Sequence, residues 1–375
     1  MAGRSIRLVL ALAVGVAVTG TGLVAALLAG ELSERAVEDA AAESLRDAAG
    51  LFAALERVEI QKMSALLEDV RGRADLREAF LAGDRTRLLA LAGPVFGRIR
   101  ARDGVITHLY FIEPNRTCFL RVHRPDLHGD RIERMTLARA AESGNTSSGM
   151  ELGQTAYALR VVRPWFDGPR LIGFVEMAEE IGHFLVRMKQ ETGDDFGLLA
   201  KKKYLDEKTW YRVIAGGRDT WSARPDVVVV DSTSYGEGLI DYRGDVDAIP
   251  ETGQALGETI RNGRALIRGI FPVRDAADRR VGALLVQQDF TRMHAALERG
   301  RIHLAATVLL ASLLGFGLAW LAVELLLLRR LRRVAEALAP AVETGPDAGD
   351  ELQRLARLAA LRHPAARQSD APPER

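Results

Sequence analysis

Two long apolar runs bracket the polar middle of the chain. Residues 8–30 include no charged side chain, and residues 304–328 are interrupted only by Glu324. Each run exceeds the roughly 20 residues that a helix needs to cross the ~30 Å hydrocarbon core of a bilayer. The pattern therefore predicts membrane-spanning helices at residues 8–30 and 301–328, which enclose one large polar loop.

The first part of the loop has the periodicity of a helix. From residue 31 to about residue 82, apolar side chains recur every three or four positions and no proline occurs. About 50 helical residues would extend about 75 Å at 1.5 Å per residue. Gly83 and the pair Gly93-Pro94 mark the end of this helix and of a shorter second one. Residues 31–92 are therefore predicted to form stalk helices.

Short apolar segments bounded by turn residues follow the stalk. Strands are predicted at residues 106–112, 118–123, 156–162, 171–177 and 196–199, and then at 227–231, 258–267, 270–273 and 281–287. Helices are predicted at 131–143 and 181–191.

One hairpin pattern occurs twice among these strands. A strand ends at Pro164, a polar turn follows, and the returning strand has an early glycine, Gly173. Pro272 and Gly282 repeat the arrangement, with a proline-to-glycine spacing of ten residues instead of nine. The repeat predicts a duplicated α/β module.

Arginines next to the apolar runs predict the orientation. Arg4 and Arg7 precede the first run, and a cluster of four arginines at 329–333 follows the second. Because short Arg-rich flanks stay cytoplasmic, both termini are predicted inside and the loop outside, although Arg299 and Arg301 lie on the outer side. A cleaved signal peptide is the alternative for the first run, but its apolar stretch is longer than the typical h-region of about 7–15 residues.

Composition narrows the classes of partner. The chain has 51 basic and 50 acidic side chains and a net charge of +1, so nothing in its composition indicates a nucleic-acid partner, and none is predicted. Cys118 is the sole cysteine, so the chain has neither a disulfide framework nor a CxxC metal or haem site. An exported domain without disulfides needs a real hydrophobic core, and this loop is long enough to supply one.

Several blocks of the loop resemble a known family. They are residues 109–112, 119–126, 129–130, 149–153, 159–164, 172–180 and 201–203. Between about residues 35 and 295 the chain resembles double Cache (dCache) sensor domains, which occur on two-component sensor kinases and chemoreceptors. The resemblance implies an α+β fold with a long N-terminal helix and two PAS-like (Cache) antiparallel-sheet modules, flanked by two transmembrane helices. It also implies a membrane-distal module that binds ligand and a membrane-proximal module that relays the change.

The tail resembles a degenerate HAMP relay that lacks the usual early proline and has a short connector. The chain is thus predicted to divide into a cytoplasmic stub (1–7), transmembrane helix 1 (8–30), stalk helices (31–92), a membrane-distal Cache module (93–205), a membrane-proximal Cache module (206–300), transmembrane helix 2 (301–328), a HAMP-like remnant (329–362) and a disordered tail (363–375).

A ligand pocket is predicted in the distal module. Strand alternation places Phe119, Arg121 and His123 on one face, and Arg160 lies on another strand with Trp165 beyond it. Arginine suits carboxylates or phosphates and tryptophan supplies a stacking face, so the expected ligand is a small anionic or amphipathic metabolite. The candidate ligand-binding residues are Tyr110, Arg121, His123, Asp130, Arg160, Trp165 and Glu176.

Two other interpretations of these residues stay open. The arginines can instead pair with Asp126, Asp130 and Glu176 to hold the module together. His123, Asp126, His128 and Asp130 include ligand types that suit Zn or Ni, but this segment has the composition of a solvated turn. No metal and no cofactor are predicted.

The sequence favours a sensor over an enzyme, because it contains no nucleophile elbow, HExxH motif or P-loop. We expect a homodimer in the bacterial inner membrane with a periplasmic sensor domain. Its second membrane helix would relay ligand binding to a separate cytoplasmic output protein such as a histidine kinase. The alternatives are a membrane-anchored periplasmic enzyme and a truncated, output-less fragment of a sensor kinase or chemoreceptor.

Overall fold

The computed structural model describes residues 2–153, 156–213, 221–235 and 238–322, together with residues 325, 329, 333, 334 and 336. The chain divides into two units, Arg35–His294 and a second unit of Met1–Glu34 with Ala295–Arg375. The predicted HAMP-like remnant lies almost entirely outside the described residues, and the predicted disordered tail lies wholly outside them.

Three helices open the chain: α1 (Ala2–Gly72), α2 (Ala74–Leu81) and α3 (Arg85–Asp103). The apolar face predicted for the stalk is buried at Leu45, Met63 and Leu67. The expected single helix through residue 82 is wrong, because α1 ends at Gly72 and Arg73 has extended backbone angles. Gly72 has a low helix propensity. The Asp75 carboxylate stabilises the break between α1 and α2 by accepting hydrogen bonds from the Arg73 side chain and from the Leu76 amide.

The first sheet is antiparallel and has the strand order β2-β1-β5-β4-β3. Its strands are β1 (Ile106–Ile112), β2 (Cys118–Arg121), β3 (Ser147–Leu152), β4 (Tyr157–Asp167) and β5 (Arg170–Glu180). Helix α4 (Met135–Ser143) lies between β2 and β3 in sequence, and α5 (Gly182–Thr192) follows β5.

The second sheet is also antiparallel, in the order β7-β6-β10-β9-β8. Its strands are β6 (Asp195–Lys201), β7 (Val227–Ser232), β8 (Gln254–Arg261), β9 (Arg264–Arg274) and β10 (Arg280–Asp289). Helix α6 (Glu207–Val213) follows β6, and α7 (Thr291–Ala322) follows β10. The predicted α+β class with two PAS-like antiparallel-sheet modules is confirmed, and the structure gives each sheet five strands. Both predicted hairpins form, as β4–β5 and β9–β10.

The strand prediction is wrong at residues 258–267. The strand predicted at 258–267 is two strands joined by a turn at Asn262-Gly263, whose φ angles of 49° and 74° are those that this dipeptide adopts in tight hairpins. Strand β6 pairs with β7 and β10 in the second sheet, although it precedes the expected module boundary at residues 205 and 206. The boundary itself stays a prediction.

The two faces of the first sheet pack against different helices. Along β4, Leu159, Val161 and Trp165 belong to the main hydrophobic core, which includes side chains of α1, α2 and α3. Val162 points the other way, into a smaller cluster with residues of α4. This alternation decides which side chains can meet on the α4 face.

In the unit of residues 1–34 and 295–375, the described parts of α1 and α7 are apolar and mostly exposed. The two helices approach so closely that a Cβ atom on Gly22 would overlap Val308. Among the residues that the structure describes, α1 and α7 are the helices long and apolar enough to cross a membrane.

Candidate functional site

A cleft of about 810 Å³ is lined by residues of β1, β2, β4 and β5 and of the segments beside them. Charged and aromatic side chains dominate its wall. They are His108, Tyr110, Arg121, Arg124, Asp126, His128, Asp130, Arg134, Arg160 and Glu180. This wall includes four of the seven residues predicted to bind ligand, and Glu176 lies directly behind it.

A fully buried carboxylate lies between two guanidinium groups in this region. Glu176 accepts a hydrogen bond of 2.7 Å from Arg160 Nη1 and a second from Arg134 Nη1, both at its Oε1 atom. The pair Arg160 and Glu176 is diagonal across β4 and β5, because Glu176 lies opposite Val162 in the register. Two guanidinium groups therefore share one oxygen of a single buried carboxylate.

Arg134 is positioned by the start of α4. It immediately precedes that helix, whose first turn is tied to β3 by Glu151. The Glu151 carboxylate accepts hydrogen bonds from the amide and hydroxyl of Thr136, at 2.8 and 2.7 Å. Sequence reasoning missed Arg134, because nothing in the local pattern shows that the residue before α4 reaches the β5 carboxylate.

Tyr110 lies between two arginines. The guanidinium carbons of Arg121 and Arg134 are 5.4 and 4.9 Å from its ring centroid, within the range of cation–π contacts. The Tyr110 hydroxyl also accepts a hydrogen bond of 3.4 Å from Arg134 Nη2. The ring therefore holds both cations in place and adds an aromatic surface to the cleft.

Arg121 forms hydrogen bonds with the loop that follows β2. Its two terminal nitrogens donate to the two oxygens of Asp130, at 2.7 and 2.6 Å, and Nη1 also donates to the Leu127 carbonyl at 2.6 Å. These hydrogen bonds lower the pKa of Asp130 and raise that of Arg121. Of the two interpretations that the sequence left open for this arginine, the ion-pair arrangement is the one that the geometry shows.

Two histidine rings meet beside Tyr110. His108 and His123 lie 4.4 Å apart between ring centroids, and His123 Nδ1 accepts a hydrogen bond of 3.4 Å from the Leu109 amide. Burial lowers the pKa of His123 to about 4, and burial together with His123 and nearby arginines lowers that of His108 to about 3. Both rings are thus neutral at pH 7. His108 is a cleft residue that the sequence interpretation did not include.

Trp165 does not lie with the other predicted residues. It is 1% exposed on the opposite face of β4, stacked on Phe80 at 5.3 Å, and its Nε1 donates to the Arg71 carbonyl at 3.2 Å. Phe119 also contacts Phe80, at 5.1 Å between ring centroids, so it does not share the surroundings of Arg121 as expected. Both aromatic rings pack with the main core.

The four residues considered as a metal site do not converge. Among the described residues, a group of three potential ligands within 4.8 Å of one another forms at Glu59, Glu179 and His183, and not within the 123–130 segment. Asp130 is instead paired with Arg121.

Comparison with known proteins identifies the fold. The family model described as the double sensory domain of two-component sensor kinase (dCache_3) matches residues 40–294. No curated protein sequence matches the chain. The family matched is one of sensory domains, and the double Cache resemblance is thereby confirmed.

The chain is also similar to solved structures at low sequence identity. The periplasmic domain of Vibrio cholerae LuxQ is 12% identical, with 65% of this chain and 98% of that chain covered at a TM-score of 0.39. The sensor domain of the V. cholerae histidine kinase DctB is 10% identical. The match covers 67% of this chain and 98% of that chain, with a TM-score of 0.41. The sensory domain of the Campylobacter jejuni chemoreceptor Tlp3 with isoleucine bound is 11% identical. The match covers 70% of this chain and 96% of that chain, with a TM-score of 0.42.

Proposed function

Because the chain belongs to the family of double sensory domains of two-component sensor kinases, we propose that it is a membrane-anchored sensor whose cleft binds a small anionic molecule. The observation that carries the proposal is the pair of guanidinium groups, Arg134 and Arg160, which share the single buried carboxylate of Glu176.

The expected ligand carries a carboxylate or phosphate group. A guanidinium offers a planar fork of donors to such groups, and Arg134 and Arg160 both line the cleft. Tyr110 supplies an aromatic surface for the rest of the ligand, and the neutral ring of His108 supplies one hydrogen-bond donor or acceptor. Asp126 and Glu180, also on the wall, would exclude a second anionic group nearby.

The relay is proposed to run through the contacts between the two sheets. The hydroxyl of Tyr157 on β4 donates to the Leu199 carbonyl on β6 at 3.0 Å. The amide of Ala276, in the β9–β10 turn, donates to the Met150 carbonyl on β3 at 2.7 Å. A ligand can shift this arrangement only by its difference in affinity between two states of the sensor.

The second sheet leads directly to α7. Asp289 at the end of β10 accepts hydrogen bonds from the amide and hydroxyl of Thr291, at 3.0 and 2.5 Å, and from Arg264 at 2.9 and 2.7 Å. A shift of β10 would therefore reach the first turn of α7. We propose that α7 passes the signal across the membrane to a cytoplasmic output protein such as a histidine kinase.

The proposed setting is the bacterial inner membrane, with two membrane passes, a periplasmic sensor domain and a homodimeric assembly. The apolar parts of α1 and α7 and the arginines that flank them support the orientation. Cysteine accessibility of loop and terminal positions in intact cells tests the topology, and cross-linking in membranes tests the dimer.

Ligand binding is tested on the full chain in detergent. A panel of organic acids and their uncharged amides is screened by thermal shift, and hits are measured by calorimetry. We expect an acid, and not its amide, to bind. The variant Arg160→Gln removes one cation while Arg134 stays paired with Glu176, and it should weaken binding at least about tenfold. Arg139→Gln, an exposed change on α4, should leave binding unchanged.

Failure of every acid to bind would overturn the proposed ligand class. Equal affinity of the Arg160→Gln variant and the parent would overturn the proposed place of binding. Turnover of a bound acid would instead support the enzyme alternative.

A further inference from the structure

A second group of ionisable side chains lies on the face of the first sheet opposite the cleft, where α1, β5 and α5 meet. Glu59 comes from α1, Glu179 from β5 and His183 from α5. One carboxylate oxygen of each glutamate and one ring nitrogen of the histidine all lie within 4.8 Å of one another. Glu59 is distant in sequence from Glu179 and His183, which are four residues apart, so the fold brings Glu59 to the other two.

The Glu179 carboxylate is buried without hydrogen bonds. Its side chain is completely excluded from solvent, and neither oxygen has a hydrogen-bond partner among the described residues. Glu59 beside it is also buried. The ionised form of a buried carboxyl group is stabilised by hydrogen-bond donors or by a cation in contact with it.

His183 presents a lone pair to this carboxylate. Its Nδ1 atom is 2.8 Å from the Glu180 carbonyl oxygen, which can only accept, so Nδ1 must donate. In the neutral ring Nε2 is then an acceptor, and it lies 3.6 Å from Glu179 Oε1, which is also an acceptor when the carboxyl group is ionised. A cation between these two atoms would satisfy both. A histidine whose other nitrogen donates to a carbonyl is also the usual arrangement in metal sites.

Lys62 supplies the nearest positive charge. Its ammonium contacts Glu59 and lies 2.9 Å from Asp103 Oδ1 and 3.7 Å from Glu179 Oε2. The lysine side chain is 29% exposed, so it can turn towards solvent without crossing the core. Arg187 contacts only the Glu59 side of the group, at 3.6 Å.

We propose that Glu59, Glu179 and His183 form a site for a divalent transition metal, represented by Zn²⁺, which displaces the Lys62 ammonium. Two carboxylates and one imidazole match the ligand preference of Zn²⁺. Tetrahedral ligands at about 2.1 Å from zinc are about 3.4 Å apart, and the 3.6 Å separation of His183 Nε2 from Glu179 Oε1 is close to that value. Rotation of the Glu59 side chain would bring its carboxylate to the metal as the third ligand.

The metal would join α1 to the end of β5 and the start of α5. It would therefore fix the stalk helix to the sheet that carries the cleft. This site uses none of the residues proposed to bind the organic ligand, so metal binding can be present or absent independently of that proposal.

Zinc binding is measured on the full chain in detergent after removal of any affinity tag. Calorimetry with Zn²⁺ alone and metal analysis after dialysis should give one zinc per chain. Glu179→Gln and His183→Gln should each weaken binding more than about 100-fold. Glu191→Gln, an exposed carboxamide change on α5, is the matched control and should bind as the parent does.

Lys62→Met is the complementary variant, because it keeps all three ligands and removes the competing cation. It should bind Zn²⁺ about tenfold more tightly than the parent. Circular dichroism confirms that each variant is folded. Absence of zinc from the folded parent, or unchanged affinity in Glu179→Gln and His183→Gln, overturns the site, and weaker binding by Lys62→Met overturns the displacement of the ammonium.

Discussion

Glu176 and Glu179 lie three residues apart on one strand and serve opposite faces of the same sheet. Glu176 accepts a hydrogen bond from Arg160 at 2.7 Å on the cleft side, whereas Glu179 lies 3.7 Å from Lys62 of α1 on the other side. Successive side chains of a strand alternate in direction, so an odd separation puts them on opposite faces. A movement of β5 would therefore change both the contacts of Glu176 at the cleft and those of Glu179 with the stalk helix α1.

The Arg160–Glu176 pair should stabilise the folded domain. Arg160→Met removes one of the two guanidinium groups that compensate the buried carboxylate, while Arg134 remains. We expect the free energy of unfolding to fall by about 1–3 kcal/mol, measured by chemical denaturation. Adding Glu176→Gln to this variant should restore part of the loss. A double variant less stable than Arg160→Met would contradict this account.

The neutral histidines predict that the domain loses stability in mild acid. In the unfolded chain histidine titrates near pH 6.5, whereas in the folded domain the pKa is about 3 for His108 and about 4 for His123. Between these values the unfolded state binds more protons, so acid favours unfolding. Stability should therefore be complete above about pH 6.5 and fall as the pH drops towards 4.

The measurement is denaturation at pH 7.5 and 5.0 on the parent and on the double variant His108→Gln/His123→Gln. Other carboxylates titrate in both proteins, so the difference between them isolates the two rings. The parent should lose more stability between the two pH values than the variant does. Equal losses would show that the two histidines are protonated as easily in the folded domain as in the unfolded chain.

Cys118 should be chemically inert in the folded protein. The thiol is 1% exposed, and burial raises its pKa to about 11, so almost no thiolate is present at pH 8. A disulfide reagent at pH 8 should modify it only after denaturation. In a Ser143→Cys variant, the added thiol at the exposed end of α4 should react at once. Rapid modification of Cys118 in the parent would contradict its buried position.

Trp165 should matter for stability and not for ligand binding. Trp165→Phe removes the hydrogen bond to the Arg71 carbonyl and part of the contact with Phe80. We expect a loss of about 1–2 kcal/mol in the free energy of unfolding. The affinity for any acid that binds the cleft should change by less than about twofold. A large loss of ligand affinity at unchanged stability would contradict this prediction and show that Trp165 contributes to ligand binding.

Asp289 should fix the first turn of α7. Asp289→Ala removes the acceptor for the Thr291 amide and hydroxyl and for Arg264. We expect a loss of about 1 kcal/mol and faster hydrogen exchange at residues 291–294, while the affinity for cleft ligands is unchanged. Arg243→Gln, an exposed change elsewhere in the second module, serves as the control. Unaltered exchange at the start of α7 would show that this carboxylate does not hold the turn.

Part of the candidate site was readable from the sequence. Tyr110, Arg121, Asp130 and Arg160, four of the seven residues predicted to bind ligand, line one cleft, and their contact with a ligand stays a prediction. Trp165 was expected beyond the end of a strand and beside the ligand, but β4 extends through it, and five positions after Arg160 its side chain points to the opposite face. His108 and Arg134 were missed because their roles depend on a β-bulge after Ile106 and on where α4 begins.

The sequence by itself determined what depends on neighbouring residues: the two apolar helices, the amphipathic stalk and the paired hairpins, because periodicity and turn chemistry act over a few positions. Tertiary structure decided what depends on distant residues. Strand β6 belongs to the second sheet because it pairs with β7 and β10, which come later in the chain. Glu59 meets Glu179 and His183 because α1 packs on the back of the first sheet, a contact across more than one hundred residues that no local pattern encodes.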